Sequence, residues 1–281
     1  MDLSAPVAAP WIARLDLGFQ RRGGDTVLFR RQHQGPLRVQ KALYPEGGAV
    51  CHAIVLHPPS GIAGGDELAI RVEVAGGAHA LLTTPGAGKW YRSAGPRAVQ
   101  RLAFQVADGG RLEWLPQESI VFDGARAEMD LEIDLAGSGR YLGWEVLCLG
   151  RRASGEHFDQ GGVGLLTRMR RDGKPFWLER GRLAGNDPLL ASPAGLAGFT
   201  VAGTLLACGG KVPAEVLAAC RERVPREAGA RYGLSQLPDL LVARYLGHGS
   251  ESARHWFTGL WGLLRPHLMG REAVMPRIWN T

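Results

Sequence analysis

The stretch Leu68-Ala-Ile-Arg-Val-Glu-Val74 carries a large apolar side chain at every second position, and the pair Gly76-Gly77 follows it closely. Alternation with a period of two is typical of a strand that buries one face and exposes the other. A glycine pair can adopt the positive φ angles that tight turns require. This stretch therefore predicts a half-buried strand that ends in a turn.

The same pattern recurs outward from this stretch along the chain. Residues 102–106 and 129–135 alternate in the same way, and strand-like stretches continue at 163–170, 176–182 and 199–208. Glycine makes up 40 of the 281 residues, about twice the usual share of roughly 7%. Many short strands joined by turns predict a mainly β fold, a two-layered stack that resembles a β-helix or a sandwich. Because no stretch looks like a linker, residues 1–281 are interpreted as a single domain.

Two helices are predicted near the C-terminus, over residues 214–224 and 251–265. In the second, apolar side chains recur on one helical face. Ser250 is expected to cap the start of this helix, and Pro266 to end it. The pattern at 239–247 is ambiguous between a strand and a helix.

The composition excludes several classes of protein. Lysine and arginine number 33 against 27 acidic residues, and the four cysteines lie far apart in the sequence. Widely spaced cysteines are typical of a reduced cytosolic protein. We therefore expect a cytoplasmic protein, with no membrane contact because no apolar run approaches the ~18 residues of a spanning helix. The aromatic content of 7% gives no indication of nucleic-acid binding.

Two motifs suggest a bound ligand, but neither has the residues or the spacing that such a site requires. A phosphate-binding loop needs glycine where this chain has Thr83, and a serine or threonine hydroxyl where it has Trp90. Cys51, His52 and His57 suggest a metal cluster, but an extended strand would separate the first and last by about 20 Å. We therefore predict no tightly bound metal and no tightly bound cofactor.

Four carboxylates are embedded in apolar or glycine-rich surroundings. They are Asp66, Glu118, Glu145 and Glu179. A charge among large apolar side chains is costly unless it is paired or hydrated. One interpretation is an outward-facing or ion-paired residue in each case. The other is a water-filled passage lined by carboxylates, which suits a hard or borderline divalent cation.

Four blocks of sequence carry a resemblance to a known family. They are His57-Pro-Pro-Ser-Gly-Ile-Ala-Gly-Gly-Asp66, Thr84-Pro-Gly-Ala-Gly-Lys-Trp-Tyr-Arg92, Leu112-Glu-Trp-Leu-Pro-Gln-Glu118 and Pro276-Arg-Ile-Trp-Asn-Thr281. In this order and combination, the blocks resemble the urease accessory protein family UreD, also called UreH. One departure is Ser60, where the family commonly has glycine.

The resemblance implies a non-enzymatic nickel metallochaperone scaffold with a β-rich fold. Such a protein is expected to bind the accessory proteins UreF and UreG and the urease apoprotein, and to conduct nickel(II) in transit through an internal tunnel. With this resemblance, we predict that Asp66, Glu118, Glu145 and Glu179 line the nickel route. Removing the charge at two of these positions should lower urease activation without disturbing complex assembly.

A partner interface is predicted from aromatic and basic side chains, which are favoured at the centres of interfaces. The candidates are Lys89, Tyr91 and Arg92 in the second block, and Trp256 and Trp261 in the second helix. For the two tryptophans, a place in the hydrophobic core is the alternative.

Two other functions stay open from the sequence. One is an acid/base hydrolase that uses Glu118 and Glu145. The other is a β-rich protein-binding module without a role in metal transfer.

Overall fold

The computed structural model describes residues 11–280, with only the backbone for Asn280. Within this range the chain forms eighteen strands and three α-helices, and short 3-10 turns lie at Arg152–Ser154 and Arg277–Asn280. The strands are β1 (Ile12–Arg22), β2 (Asp25–Gln34), β3 (Arg38–Leu43), β4 (Cys51–Leu56), β5 (Gly61–Ile62), β6 (Glu67–Val74), β7 (His79–Thr83), β8 (Gly88–Trp90), β9 (Ala98–Val106), β10 (Arg111–Leu115), β11 (Ser119–Val121), β12 (Arg126–Leu135), β13 (Arg140–Leu149), β14 (Gly162–Arg171), β15 (Lys174–Ala184), β16 (Val201–Cys208), β17 (Arg231–Gln236) and β18 (Leu241–Gly247). The helices are α1 (Pro188–Ala191), α2 (Ala214–Glu222) and α3 (Ser250–Met269).

The strands form two sheets, and the chain passes repeatedly from one to the other. The first sheet has the order β15-β14-β12-β9-β6-β1-β2, and the second has the order β17-β18-β16-β13-β10-β7-β4-β3, with β5, β8 and β11 beside that path. The central strands of each sheet are parallel, and antiparallel pairs lie at the edges. The connections β6–β7, β9–β10 and β12–β13 each carry the chain from the first sheet to the second, and the chain then returns to the next strand of the first sheet, so that successive coils stack. The predicted two-layered, β-helix-like stack is therefore confirmed.

Stacked turns join these coils at one end of the molecule. Gly77, Gly109 and Gly137 have positive φ angles of 72°, 71° and 49°, which other residues adopt only with strain. The turns lie in register because the Ala107 amide donates to the carbonyl of Val74, 2.9 Å away in the preceding coil. The glycine pairs in the sequence therefore mark the corners of the coils.

The alternating stretch at 68–74 forms β6 and packs as the sequence predicts. Ile70 lies beside Leu102 of β9, which in turn lies beside Leu131 of β12, and all three are buried between the sheets. Burial of one such side chain contributes about 1.5–3 kcal/mol. A second apolar core lies on the other side of the second sheet, where α2 and α3 cover it.

Both predicted helices are present as α2 and α3, and α1 is an additional single turn. The ambiguous segment is β18, which pairs with β16 and β17. In the described part of the chain, no helix combines the length and apolar composition needed to cross a bilayer.

The predicted ends of the last helix are wrong in two details. Pro266 lies inside α3, which continues to Met269 and ends at Gly270 with a φ of 70°. The last turn persists because Leu268 and Met269 are buried against the core, which offsets the hydrogen bond that a proline removes. Ser250 does not cap the helix: Gly249 occupies the cap position without a side-chain hydrogen bond.

Candidate functional site

Two adjoining cavities lie between the sheets. The first has a volume of about 190 Å³ and the second about 610 Å³. Ser119, Glu145 and Val146 line both cavities, whereas Glu118 lines the first and Glu179 the second. Three of the four carboxylates singled out in the sequence therefore lie on the walls of this pair of cavities.

Glu145 occupies the junction of the two cavities. It lies on β13, on the same inward face as Tyr141 and Leu147 of the core between the sheets, and its neighbour on β16 is Thr204. No described side chain forms an ion pair or hydrogen bond with its carboxylate. Burial and the negative charge of Glu179 raise the pKa of Glu145 to about 7. An unpaired carboxyl that titrates near neutrality is characteristic of functional sites.

The carboxylates on either side of this junction both have arginine partners. Glu118 Oε2 lies 3.0 Å from Nε of Arg254 in α3. Glu179 is held by both terminal nitrogens of Arg244 in β18, at 2.7 and 2.8 Å. Arg244 also donates to the Thr204 hydroxyl at 2.7 Å. The walls therefore combine one unpaired carboxylate with two that arginine neutralises.

Asp66 does not belong to this group. Its two oxygens accept the backbone amides of Trp11, at 3.1 Å, and Ala63, at 2.9 Å. Asp66 thus fixes the turn before β6 and does not line either cavity. Two donated amides satisfy a short carboxylate that follows glycines, which is a common arrangement in turns.

His57 lines the first cavity and was not among the predicted route residues. Burial lowers the pKa of His57, and the charge of Asp66 opposes that effect. The sequence pattern groups His57 with Cys51 and His52 as metal-ligand candidates and also places it at the start of the first block. The structure separates the three: Cys51 is buried in the core, and His52 binds Glu46 at 2.6 Å. The sequence feature that could have identified His57 as a site residue is its position directly after β4, at the start of a block of unusual sequence.

Only part of the predicted partner interface lies on the open surface. Tyr91 and Arg92 are exposed; Tyr91 contacts the Phe122 ring at a centroid distance of 5.2 Å, and Arg92 pairs with Asp123 at 2.8 Å. Lys89 is half-buried and lines the first cavity. A role in partner binding stays a prediction for these three residues.

Trp256 and Trp261 are buried, so the structure favours the alternative of a place in the hydrophobic core over the predicted partner interface. Trp256 is 1% exposed and donates its indole N–H to the Arg223 carbonyl at 2.7 Å. Trp261 is fully buried and donates to Glu113 at 2.6 Å. Both side chains pack between α3 and the second sheet, because the apolar stripe of the helix faces the core.

A network of buried charges, which the sequence analysis missed, crosses the same core. Arg265 of α3 is fully buried and lies between Glu113 and Glu46, with nitrogen–oxygen distances of 2.7 to 3.1 Å. His79 contacts Glu113 at 2.7 Å, and His52 contacts Glu46 at 2.6 Å. We call these five side chains the buried ion network.

The buried ion network is separate from the two cavities, since none of its members lines either of them. Burial raises the pKa of Glu46, but the contacts with His52 and Arg265 outweigh it and lower the pKa to about 2. The contacts with His79 and Arg265 likewise outweigh burial and lower the pKa of Glu113. Glu113 lies in the third sequence block, where its apolar neighbours are the only sequence feature that indicates a buried charge. Alternation alone does not reveal which distant arginine will meet such a carboxylate.

The described residues contain no group of three or more histidine, cysteine, aspartate or glutamate side chains placed to hold one metal ion. The cysteine thiols are buried, and burial raises the pKa of Cys51 to about 11 and that of Cys148 to about 12. A protonated thiol is a poor metal ligand. The cavity walls therefore offer oxygen ligands, with His57 as an additional imidazole.

Comparison with known proteins gives a consistent result over nearly the whole chain. The family model described as UreD urease accessory protein matches residues 12–280. A urease accessory protein UreD from Dechloromonas aromatica is 60% identical over 285 residues, covering 100% of this chain and 99% of the relative. The UreD protein of an Azoarcus species is 58% identical over 284 residues, covering 100% and 98%. The chain therefore belongs to the UreD family of urease accessory proteins, and its role is that of an accessory protein and not of an enzyme.

Proposed function

We propose that the chain is a nickel metallochaperone scaffold that works in the cytoplasm during the maturation of urease. In this proposal it binds UreF, UreG and the urease apoprotein, and nickel(II) passes through the two adjoining cavities. The observation that carries the proposal is the line of carboxylates along the cavity walls, Glu118, Glu145 and Glu179. The hydrolase alternative is excluded because the family consists of accessory proteins.

The chemistry of the walls suits the transit of a metal better than its storage. Carboxylate oxygens and water bind Ni²⁺ less tightly than clusters of thiolates and imidazoles. The cysteines are held as protonated thiols by burial, and none of them lines the cavities. A nickel ion would therefore meet ligands that attract it without trapping it.

Glu145 supplies the attraction at the centre of the passage. With a pKa raised to about 7, its carboxyl is protonated far more readily at neutral pH than an ordinary glutamate. An arriving divalent cation stabilises the carboxylate and displaces the proton, because an opposite charge nearby favours the ionised form. Glu145 is thus neutral enough to be tolerated between the sheets and acidic enough to ligate a cation in passage.

The arginine partners of Glu118 and Glu179 control access at either side of Glu145. A cation that binds Glu179 must compete with the two hydrogen bonds from Arg244. The Arg254 contact at 3.0 Å imposes the same competition at Glu118. These pairs keep the empty passage close to electrical neutrality and make each outer carboxylate a weak cation ligand.

A steric block tests the passage without changing its charges. Gly181 lines the second cavity, and a Cβ added there would meet only Leu165, at 3.7 Å. Gly181→Leu should narrow the cavity and lower urease activation while the complex with the partner proteins still assembles. Gly233→Leu is the matched control, since Gly233 lies in the edge strand β17 with no atom within 4 Å of the added Cβ.

The experiment co-expresses each variant with the urease apoprotein, UreF and UreG. Urease activity and the nickel content of urease are measured, and co-purification reports assembly. Normal nickel loading with Gly181→Leu would contradict the passage and favour a binding module without a metal role. If Gly181→Leu fails to assemble, Ala202→Leu gives a second block from the opposite wall of the same cavity.

A further inference from the structure

Four arginines gather at the end of the molecule where the coil-forming turns stack. They are Arg21, Arg111, Arg140 and Arg271, and we call them the arginine cluster. Arg21 is exposed and the other three are half-buried. None of them lines either cavity of the proposed passage.

Backbone hydrogen bonds and strand register fix three members of the cluster next to one another. Arg111 and Arg140 begin β10 and β13 and are register partners in the second sheet. The Arg111 amide donates to the Ala78 carbonyl at 2.9 Å. Arg21 reaches the adjoining Gly77 carbonyl at 3.3 Å. Arg111 and Arg140 therefore lie on neighbouring strands of the second sheet, about 4.8 Å apart, and Arg21 approaches them from β1 of the first sheet.

The end of α3 adds the fourth member. Arg140 donates from Nη1 to the Leu268 carbonyl at 2.7 Å, in the last turn of the helix. Arg271 follows that turn, one residue after Gly270. One guanidinium thus satisfies a helix carbonyl and compensates the partial negative charge of a helix C-terminus, which amounts to about half an elementary charge. The cluster remains strongly positive.

No carboxylate among the described residues forms an ion pair with any member of the cluster. Two acids lie in the same group of turns, but both accept other donors: Asp108 accepts the Ser138 amide at 2.7 Å, and Asp172 accepts the Gly137 amide at 2.8 Å. Burial and the charges of the other three arginines lower the pKa of Arg111. Four cations therefore repel one another without a negative partner.

The outer face of the first sheet shows the opposite arrangement. There, Arg101 pairs with Glu67 at 3.2 Å, and Arg168 pairs with Glu132. Arginines and acids alternate on that face, so their charges cancel locally. The arginine cluster differs from this face because none of its members forms such a pair.

We propose that the arginine cluster is a docking site for an acidic segment of a partner protein. The guanidinium fork is suited to bidentate binding of carboxylates. Because the members come from both sheets and from the end of α3, they match several carboxylates along an extended segment better than one compact anion. This surface is distinct from the nickel passage, and the inference does not depend on metal transfer.

Fluorescence anisotropy with a labelled peptide of consecutive glutamates tests the site on the full-length chain. The Arg111→Gln/Arg271→Gln variant should weaken peptide binding by at least about fivefold, as expected for the loss of two charge contacts. Raised salt should weaken binding by the wild-type chain because it screens these charges. The matched control, Arg101→Gln/Arg168→Gln, removes the same charge from the outer face and should retain wild-type affinity.

Three outcomes would overturn the proposal. They are unchanged affinity in the cluster variant, an equal loss in the control, and displacement of the peptide by inorganic phosphate at the same concentration of charge. The last result would identify a site for small anions. If the first variant unfolds in a thermal scan, Arg21→Gln/Arg271→Gln replaces it, since these residues lie at the ends of their elements.

Discussion

The interior of this protein contains carboxylates in two regions, and their surroundings shift the carboxyl pKa in opposite directions. In the buried ion network, Arg265 lies between Glu113 and Glu46, and the pKa of Glu46 is lowered to about 2. At the junction of the cavities, Glu145 has no partner and its pKa is raised to about 7. Both regions lie against the second sheet, but on its two different faces.

The difference separates a structural charge from one that is available to a ligand. A fully paired buried carboxylate is ionised at neutral pH, and its oxygens are already occupied by hydrogen bonds. An unpaired carboxylate beside a cavity keeps its oxygens free for water or a cation. The contrast therefore assigns the first region to stability and supports the second as the functional one.

The largest expected effect comes from breaking the buried ion network. Arg265→Met leaves Glu46 and Glu113 buried without their positive partner, which should cost about 3–5 kcal/mol of unfolding free energy. Urea denaturation measures this loss. Arg168→Met removes an exposed pair as a control and should cost less than about 1 kcal/mol. Equal losses in the two variants would remove the basis of the comparison.

A smaller effect of opposite sign is expected at Glu145. Its pKa is about 7 in the folded chain against an ordinary value of 4.5, so the folded state binds the proton more tightly than the unfolded state does. The protonated carboxyl therefore contributes to the free energy of unfolding at low pH, and this contribution is lost as pH rises from 4.5 through 7. Glu145→Gln should abolish this pH dependence and raise stability at pH 8 by about 1–3 kcal/mol. Unchanged pH dependence in denaturation experiments would contradict the assignment.

The smallest effect is expected at Glu179, whose pair with Arg244 is partly exposed. Glu179→Gln should change stability by less than about 1 kcal/mol. Because the charge of Glu179 contributes to the raised pKa of Glu145, the pH-dependent part of the stability curve should shift to lower pH. Outward-facing Glu132→Gln is the control, and a similar shift there would exclude a specific coupling.

Much of the fold was predictable because it follows from local patterns. Alternating stretches and glycine turns indicated the strands, and the stack of coils follows from repeating them. Glu145 was recognisable because its neighbours in β13 are apolar on both faces. The position of Ser60 fits the same reasoning: its φ is 57°, a conformation that glycine adopts without strain.

The parts that could not be predicted depend on contacts between distant segments. The sequence around Asp66 does not distinguish it from the other three acids, but its carboxylate accepts backbone amides from its own turn and from Trp11. Glu113 and Arg265 are 152 positions apart in the sequence, and no periodic pattern connects them. An apolar stripe on a helix more often belongs to a core than to an interface, but only the packing of α3 against the second sheet shows that Trp256 is buried.

The most direct test of the account removes negative charge from the passage while leaving its shape nearly unchanged. Urease activation is measured with Glu145→Gln/Glu179→Gln, in the presence of the apoprotein and the other accessory proteins. Glu128→Gln/Glu132→Gln, which removes the same charge from β12 of the first sheet, is the control. We expect assembled complexes in both cases, with nickel loading of urease lost only in the passage variant. Full loading by the passage variant would contradict the central claim that these carboxylates carry nickel.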